Sequence, residues 1–209
     1  MHIYVYGSVS RGDVVPGSDI DLLAVVDGPD PRFDPASYSL YPYSQLKELW
    51  AHGNPFAWHL ALESQLVFGD DGADFIRGLE RPAPYANWKR DSEKFYQLFV
   101  EAASVLSVRR DTTVYELAAM FLAVRNLAIC YSLRIGESPV FSRRAFERLG
   151  ADSLILDSRS STILEEARIL STRGFGVRPS ETDVAHVLAH LSDIDRWMCT
   201  LMAKSVKLA

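Results

Sequence analysis

The stretch that decides the fold is residues 3–26, which read IYVYGSVSRGDVVPGSDIDLLAVV. Two apolar, β-prone runs flank a loop that begins with Gly7-Ser8 and ends at Asp19 and Asp21. Side chains alternate between the two faces of a strand, so the two aspartates, two positions apart, point the same way. The stretch therefore predicts two strands joined by a Gly-Ser turn, with a pair of carboxylates at the start of the second strand.

The carboxylate pair predicts a metal site. Two neighbouring carboxylates repel each other and raise each other's pKa unless a cation lies between them. Magnesium is a hard cation that binds one or two carboxylates together with waters and substrate phosphates. Two such ions about 3.5–4 Å apart can stabilise both the attacking and the leaving oxygen of an in-line displacement. We therefore expect Asp19 and Asp21 to bind Mg²⁺, as two ions.

The turn before the carboxylates has the properties of a phosphate site. Glycine at position 7 lets the backbone approach a phosphate closely. The N–H groups that follow can form an anion site, and Ser8 adds a hydroxyl donor. Arg11 could reach a phosphate or a carboxylate through its planar fork of N–H groups. These residues predict binding of a nucleoside triphosphate, ATP or another.

The order of these residues resembles the DNA polymerase beta-like nucleotidyltransferase superfamily, whose signature is Gly-Ser, a nearby Arg-Gly, then Ser-Asp-x-Asp. The positions that carry the resemblance are Gly7, Ser8, Arg11, Gly12, Ser18, Asp19 and Asp21. The match is tight over residues 3–26, loosens up to about residue 72, and is closest to the minimal and the aminoglycoside nucleotidyltransferases. The resemblance implies a nucleotide site of Gly7, Ser8, Arg11 and Ser18. It also implies an enzyme that transfers a nucleoside monophosphate to a hydroxyl and releases pyrophosphate.

Members of this family usually have a third carboxylate near the start of a later strand, parallel to the second. We predict that later strand at residues 56–63, with His59 and Glu63 on one face. His59 lies near its start, and Glu63 lies roughly 13 Å further along at about 3.3 Å per residue. The geometry favours His59 as the third catalytic residue, and the chemistry favours Glu63. A histidine there could bind metal, act as a base or indicate weakened catalysis; the alternative is a structural histidine bonded to backbone.

Composition and charge bound the class of protein. The chain has 209 residues, of which 48% are apolar and 23% charged, as in an ordinary soluble globular protein. The net charge of −5 argues against a broad nucleic-acid surface, which needs a basic stripe. It does not exclude a nucleotide, because the metal supplies positive charge. No signal-peptide pattern is seen and charges interrupt the apolar stretches, so we expect a cytoplasmic protein without a membrane partner.

The predicted organisation is an α+β domain with a small mixed sheet, followed by an all-α helical bundle. Turn residues at Pro82-Ala83-Pro84 mark the boundary. This gives a nucleotidyltransferase domain at 1–82 and a helical bundle at 83–209 on the acceptor-binding side. Helices are predicted at about 44–52, 75–79, 91–109, 114–135, 143–149, 160–171 and 181–206. We place the acceptor between the domains, where small-molecule sites often lie.

Polar residues inside the predicted helices give two further candidates. Arg125 and Asn126 interrupt an apolar helix and would either line the acceptor cleft or serve a structural network. The helical half resembles the HEPN superfamily more weakly, but Tyr131 stands where its ribonucleases need a histidine, so no ribonuclease site is expected. His186 and His190 have a ligand-like i, i+4 spacing, and Asp183 and Asp193 flank them, so a weak surface metal site is conceivable. No wider motif supports it, and we expect solvated side chains.

Three functions remain open at this point. The first is transfer of a nucleoside monophosphate to a small hydroxylated molecule such as an aminoglycoside, whose positive charge would suit an acidic chain. The second is transfer to a protein or RNA partner, as in some toxin–antitoxin pairs. The third is a nucleotide-binding module whose catalysis is weakened, since the third carboxylate is missing from the pattern.

Overall fold

The structure is a computed structural model that describes residues 1–14, 20–136 and 139–207. It divides into two compact units. The first is Met1–Ala86 together with Phe141–Arg143, and the second is Asn87–Val140 together with Arg144–Ala209. A mixed sheet followed by helices confirms the predicted fold class. The assignment of separate roles to residues 1–82 and 83–209 stays a prediction.

The first unit is built on a four-stranded sheet in the order β3-β2-β1-β4. Its strands are β1 (His2–Tyr6), β2 (Asp21–Val25), β3 (Tyr38–Tyr41) and β4 (Gln65–Gly69). Strand β1 pairs antiparallel with both β2 and β4, whereas β2 and β3 run parallel. The unit's helices are α1 (Ser8–Arg11), α2 (Tyr43–Ala51), α3 (Pro55–Glu63) and α4 (Phe75–Gly78).

One face of this sheet is covered by helices. Tyr4, Tyr6, Leu23 and Val25 point from β1 and β2 into a buried cluster. The helices α2 and α3 contribute the other large members, which are Leu46, Trp50, Ala57 and Leu60. Because Asp21 pairs with Tyr6 across the sheet, its side chain belongs to this covered face, at the edge where β2 begins.

The structure corrects the prediction of a strand at residues 56–63, which form helix α3. Apolar residues at alternate positions suggested a strand, but Leu62, which would share a strand face with Trp58, is 52% exposed. The helix is set by local signals at its start. The side chain of Asn54 accepts a hydrogen bond from Phe56 N at 2.8 Å, and Pro55 occupies the first helical turn, where its missing N–H costs nothing.

Two strands were absent from the prediction. Strand β3 lies between residue 26 and the helix predicted at 44–52, where no strand was predicted, and β4 follows directly after α3. Both strands lie at the edges of the sheet. They are held in place by pairing with β2 and β1 rather than by a strong pattern of their own.

The second unit consists of helices around one buried helix. Its elements are α5 (Trp88–Val108), α6 (Thr113–Ile135), α7 (Ser158–Arg173), α8 (Glu181–Leu188) and α9 (Leu191–Lys207). Most of α6 is buried, and α5, α7 and α9 pack against it. It ends at Gly136, whose left-handed backbone closes the last turn as the sequence predicts.

Two helix predictions in this unit were wrong in part. The segment expected at 181–206 is two helices, because His190 N bonds to the carbonyl three residues back, on Val187. The helix expected at 143–149 is only a short 3-10 turn, Ala145–Glu147. Among the described residues, α6 alone is long and apolar enough to cross a membrane, but 67% of its most apolar window is buried in the protein.

Candidate functional site

The predicted site residues meet where the central strand β1 ends and its neighbour β2 begins. Strand β1 ends at Tyr6, Gly7 follows, and α1 begins at Ser8. Strand β2 begins at Asp21, which pairs with Tyr6. The antiparallel pairing therefore brings the Gly-Ser turn and one predicted metal ligand together. The other predicted residues of this loop, Ser18 and Asp19, lie outside the described residues.

Gly7 packs directly against the carboxylate of Asp21. Its φ is 75°, a left-handed conformation that side chains rarely adopt. A Cβ added to Gly7 would lie 3.3 Å from Cγ of Asp21 and closer still to Oδ2. Only glycine leaves room for the carboxylate here. Gly7 also offers no capping side chain to the N–H groups of the first turn of α1, which suits the approach of a phosphate.

Tyr6 forms the buried wall beside this carboxylate. Its ring is 8% exposed, and its hydroxyl lies 3.0 Å from Oγ of Ser39 on β3. Burial is the main cause that raises the pKa of Tyr6; the Ser39 hydrogen bond lowers it, and the charge of Asp21 raises it. Tyr6 is therefore a neutral phenol at physiological pH and adds no negative charge beside Asp21.

The strand that runs parallel to β2 is β3, not residues 56–63. In this register Leu23 pairs with Ser39, so Ser39 shares the face of Asp21, near the start of β3. Strand β3 reads Tyr-Ser-Leu-Tyr and has no carboxylate. The position where the resemblance implies a third carboxylate is thus filled by a serine that bonds to Tyr6.

Arg11, Glu63 and His59 form one hydrogen-bonded group. The Nη1 of Arg11 donates to Oε2 of Glu63, and its Nε donates to Oδ2 of Asp13 at 3.1 Å. The same Oε2 lies 2.8 Å from Nε2 of His59. His59 and Glu63 stand one turn apart on α3, so they are partners in one network and not two alternatives on a strand. The strand geometry used to choose between them was wrong, and their order of distance from Asp21 stays a prediction.

Aromatic rings hold His59 in its place. Its ring stacks on Phe141 with centroids 4.7 Å apart and meets the Tyr6 ring edge-on at 5.5 Å. The side chains of His59 and Glu63 are only 16% and 12% exposed. This burial fixes the rotamers of the pair, so the Glu63 carboxylate is held where it meets Arg11.

Sequence reasoning missed three parts of this arrangement. It did not foresee that Glu63 holds Arg11, that Tyr6 bonds to Ser39, or that Phe141 joins the first unit. The Asn54-Pro55 helix start was the available signal for Glu63, since a helix places positions 59 and 63 on one face. Phe141 lies 82 residues after His59 and carries no local signal.

The comparison with protein families agrees with this geometry. The model of the nucleotidyltransferase domain matches residues 2–91. Residues 2–91 are a nucleotidyltransferase domain. The match spans the sheet, the Gly-Ser turn and the Arg11–Glu63 group. No match was found among curated proteins.

This family usually uses divalent metals. The residues where β2 begins fit such an ion, because Asp21 is a carboxylate, a ligand that hard divalent cations prefer, and Gly7 leaves room for that carboxylate. Asp19 precedes it by two positions. In the second unit, Arg125 and Asn126 are half-buried on α6. Their place in an acceptor site stays a prediction.

Proposed function

We propose that this chain transfers a nucleoside monophosphate from a nucleoside triphosphate to a hydroxyl of a small molecule, with pyrophosphate as the other product. The observation that supports this most is the Gly7 turn packed against Asp21, inside a nucleotidyltransferase domain. In the reaction, the acceptor oxygen bonds to the alpha phosphorus and the bond to the bridging oxygen of the beta phosphate breaks. The hydroxyl proton leaves to a base or to water.

Asp21, together with Asp19, would hold magnesium. When bound, the metal neutralises the developing charge on the phosphates and orients the triphosphate. The carboxylate of Asp21 stands on the first residue of β2, paired with β1. A ligand on a strand is held rigidly, which keeps the reacting atoms aligned.

Arg11 would bind the triphosphate beside Ser8. Its two carboxylate partners differ in exposure: the side chain of Asp13 is 36% exposed and that of Glu63 is 12% exposed. We expect a phosphate to displace the more exposed partner, Asp13, because its ion pair is the more screened one. Glu63 would then remain as the positioning residue that holds the guanidinium towards the nucleotide.

The acceptor is proposed to be a small hydroxylated molecule bound on the side of the helical unit, near Arg125. The net charge of −5 suits a cationic acceptor such as an aminoglycoside. Protein or RNA hydroxyls are the alternative acceptors. Such phosphoryl-type transfer needs no protein nucleophile, since positioning and charge neutralisation carry the reaction.

Ser39 supports a second candidate, a nucleotide-binding module with weak turnover. It stands where the resemblance implies the third carboxylate, and a hydroxyl neither carries the charge of a carboxylate nor removes a proton as readily. In this case the domain would bind magnesium and triphosphate through Asp21 and Gly7 but transfer nucleotide slowly.

The deciding experiment uses triphosphates labelled at the alpha or the gamma position. The full-length protein is incubated with magnesium, each nucleotide and three acceptor sets: aminoglycosides, lysate proteins and RNA. The proposal expects alpha label on the small molecules and release of pyrophosphate. Gamma label on any acceptor would refute nucleotidyl transfer. Alpha label on protein or RNA alone would replace the small acceptor with the alternative class.

Matched variants connect the result to the site. Asp21→Asn should abolish transfer, while Asp27→Asn, just beyond the opposite end of β2, should leave it unchanged. Ser39→Asp separates the two candidates. A gain in transfer rate with unchanged nucleotide affinity would support weakened catalysis in the natural chain. Efficient transfer by the natural chain, together with a loss in Ser39→Asp, would exclude it.

A further inference from the structure

The second unit contains three side chains of types that can bind a metal, Asp157, His186 and His190. They lie far along the chain from Gly7 and Asp21. Nε2 of His186 lies 3.0 Å from Oδ1 of Asp157, and Nε2 of His190 lies 2.9 Å from its Oδ2. The ligand atoms of the three residues all lie within 4.8 Å of one another. Across residues 1–14, 20–136 and 139–207, it is the one group of three or more such side chains that could hold a metal.

The carboxylate in this group is Asp157, which the sequence spacing of the two histidines does not indicate. The acidic residues near them in sequence are engaged elsewhere. Asp183 accepts from the Ser180 hydroxyl and, at 2.9 Å, from Arg159, and Asp193 pairs with Arg196 at 3.2 Å. The carboxylate belongs instead to Asp157, the residue before α7. The fold brings it against His186 on α8 and His190 just before α9.

Asp157 is oriented by its role as the N-cap of α7. Its Oδ1 accepts from the backbone N–H groups of Arg159 and Ser160 at 3.0 and 3.1 Å, and its Oδ2 accepts from the Ser160 hydroxyl at 2.7 Å. A carboxylate has about four lone-pair positions. The two backbone donors take both positions on Oδ1, which Nε2 of His186 also approaches, and Ser160 takes one position on Oδ2. The remaining position is on Oδ2, where Nε2 of His190 lies.

We propose that Asp157, His186 and His190 bind one divalent transition-metal ion, zinc by preference, which ties the start of α7 to the α8–α9 junction. Two imidazole nitrogens and one carboxylate oxygen are ligands that zinc takes, with a water completing about four-fold coordination. A ligand shell of imidazoles disfavours magnesium, which prefers oxygen. The Ser160 hydroxyl and the α7 N–H groups then hold the ligating carboxylate in place.

A modest opening of the group would admit the ion. Ligands about 2.0–2.1 Å from a tetrahedral zinc lie roughly 3.4 Å apart, whereas the histidine nitrogens lie 3.0 and 2.9 Å from the two carboxylate oxygens of Asp157. The ion would therefore replace these two hydrogen bonds, and the side chains would separate by about 0.4 Å. The histidine rings are inclined at 68° with centroids 5.6 Å apart. The side chains of His186 and His190 are 33% and 30% exposed, so an ion can enter from solvent.

Zinc binding to untagged full-length protein tests the proposal, with calorimetry for affinity and cobalt(II) absorption for coordination. We expect one high-affinity zinc per chain and the visible absorption of tetrahedral cobalt. His186→Ala and His190→Ala should each weaken zinc binding by about tenfold or more. Each removes one contact to Asp157 but leaves the bonds from its carboxylate to the α7 N–H groups in place. His52→Ala changes an exposed histidine just after α2 in the first unit, and this variant should bind zinc as the natural chain does.

A second pair of measurements guards against misfolding. Asp157→Asn keeps an oxygen that can cap α7 but loses the negative charge, so it should fold and bind zinc weakly. Zinc should raise the melting temperature of the natural chain but not of His186→Ala. Unchanged zinc affinity in both histidine variants, or no zinc binding by the natural chain, would overturn the proposal. Displacement of the zinc by millimolar magnesium would also overturn it.

Discussion

The backbone of Gly7 lies against the carboxylate of Asp21 so closely that a Cβ on Gly7 would be 3.3 Å from Cγ of Asp21. The two residues are 14 positions apart and meet because β1 and β2 pair antiparallel. This contact makes the turn and the metal ligand a single structural feature. A change at either residue should therefore affect both the nucleotide and the metal.

The first prediction concerns this contact. Gly7→Ala should abolish magnesium-dependent binding of a triphosphate, because the methyl group displaces Asp21. It should also cost more than about 1 kcal/mol of folding free energy, because Gly7 has φ 75° and ψ −143°, a conformation essentially restricted to glycine, and because the added methyl meets Asp21. The control for a positive φ without this contact is Gly174→Ala, with φ 71° and ψ 10° and nothing described within 4 Å of an added Cβ. Gly174→Ala should lower the free energy of unfolding but leave the magnesium-dependent triphosphate affinity, measured by calorimetry, unchanged. Equal nucleotide affinity in both variants would contradict the role given to Gly7.

The second prediction concerns the hold of Glu63 on Arg11. Glu63→Gln keeps the shape of the side chain but removes the charge that holds the guanidinium. It should raise KM for the triphosphate by about tenfold, equal to about 1.4 kcal/mol, while kcat falls less. Glu48→Gln on α2 changes an exposed glutamate and should alter neither constant. A large fall in kcat at constant KM would instead point to a direct part in the chemistry.

The third prediction concerns Phe141, which stacks on His59 and is 5% exposed. Phe141→Ala should lower the free energy of unfolding by about 3–5 kcal/mol, because it leaves a cavity against the His59 ring. Phe175→Ala removes a ring that is 72% exposed and should change it by less than about 0.5 kcal/mol. Denaturant unfolding of both variants checks this. Similar losses from the two substitutions would rule out the packing role of Phe141.

The fourth prediction concerns pH. Hydrogen bonds from Lys204 and then Tyr131 hold the pKa of Asp152 below its ordinary value. Its folded-state pKa is depressed, so its contribution is present above the ordinary pKa of about 3.9 and is lost as pH falls through the folded value. Asp152→Asn should therefore cost on the order of 1 kcal/mol at pH 7. This difference from the natural chain should shrink below about pH 4.

Unfolding in denaturant at pH 7, 4 and 3 measures that difference. Glu166→Gln on the exposed side of α7 is the control, and its difference from the natural chain should stay near zero throughout. A difference for Asp152→Asn that grows as the pH falls would reverse the sign and refute the argument.

The sequence by itself determined the parts that depend on local order. Two apolar, β-prone runs on either side of the loop from Gly7 to Asp21 predicted β1, the turn and β2, because a short apolar run and a glycine turn are properties of a few neighbouring residues. Helix α6 and its end at Gly136 followed from helical spacing and a C-terminal glycine. The signature from Gly7 to Asp21 was enough to indicate the family.

Only the tertiary structure decided the partners of these residues. Residues 56–63 carry an apolar alternation that fits a strand, and their helix depends on the Asn54 cap and on packing of Leu60 against the sheet. Strand β3 exists through its pairing with β2. Glu63 reaches Arg11 across 52 positions and Asp157 reaches His186 across 29. Contacts between distant residues depend on how whole elements pack, and no local pattern in the chain encodes them.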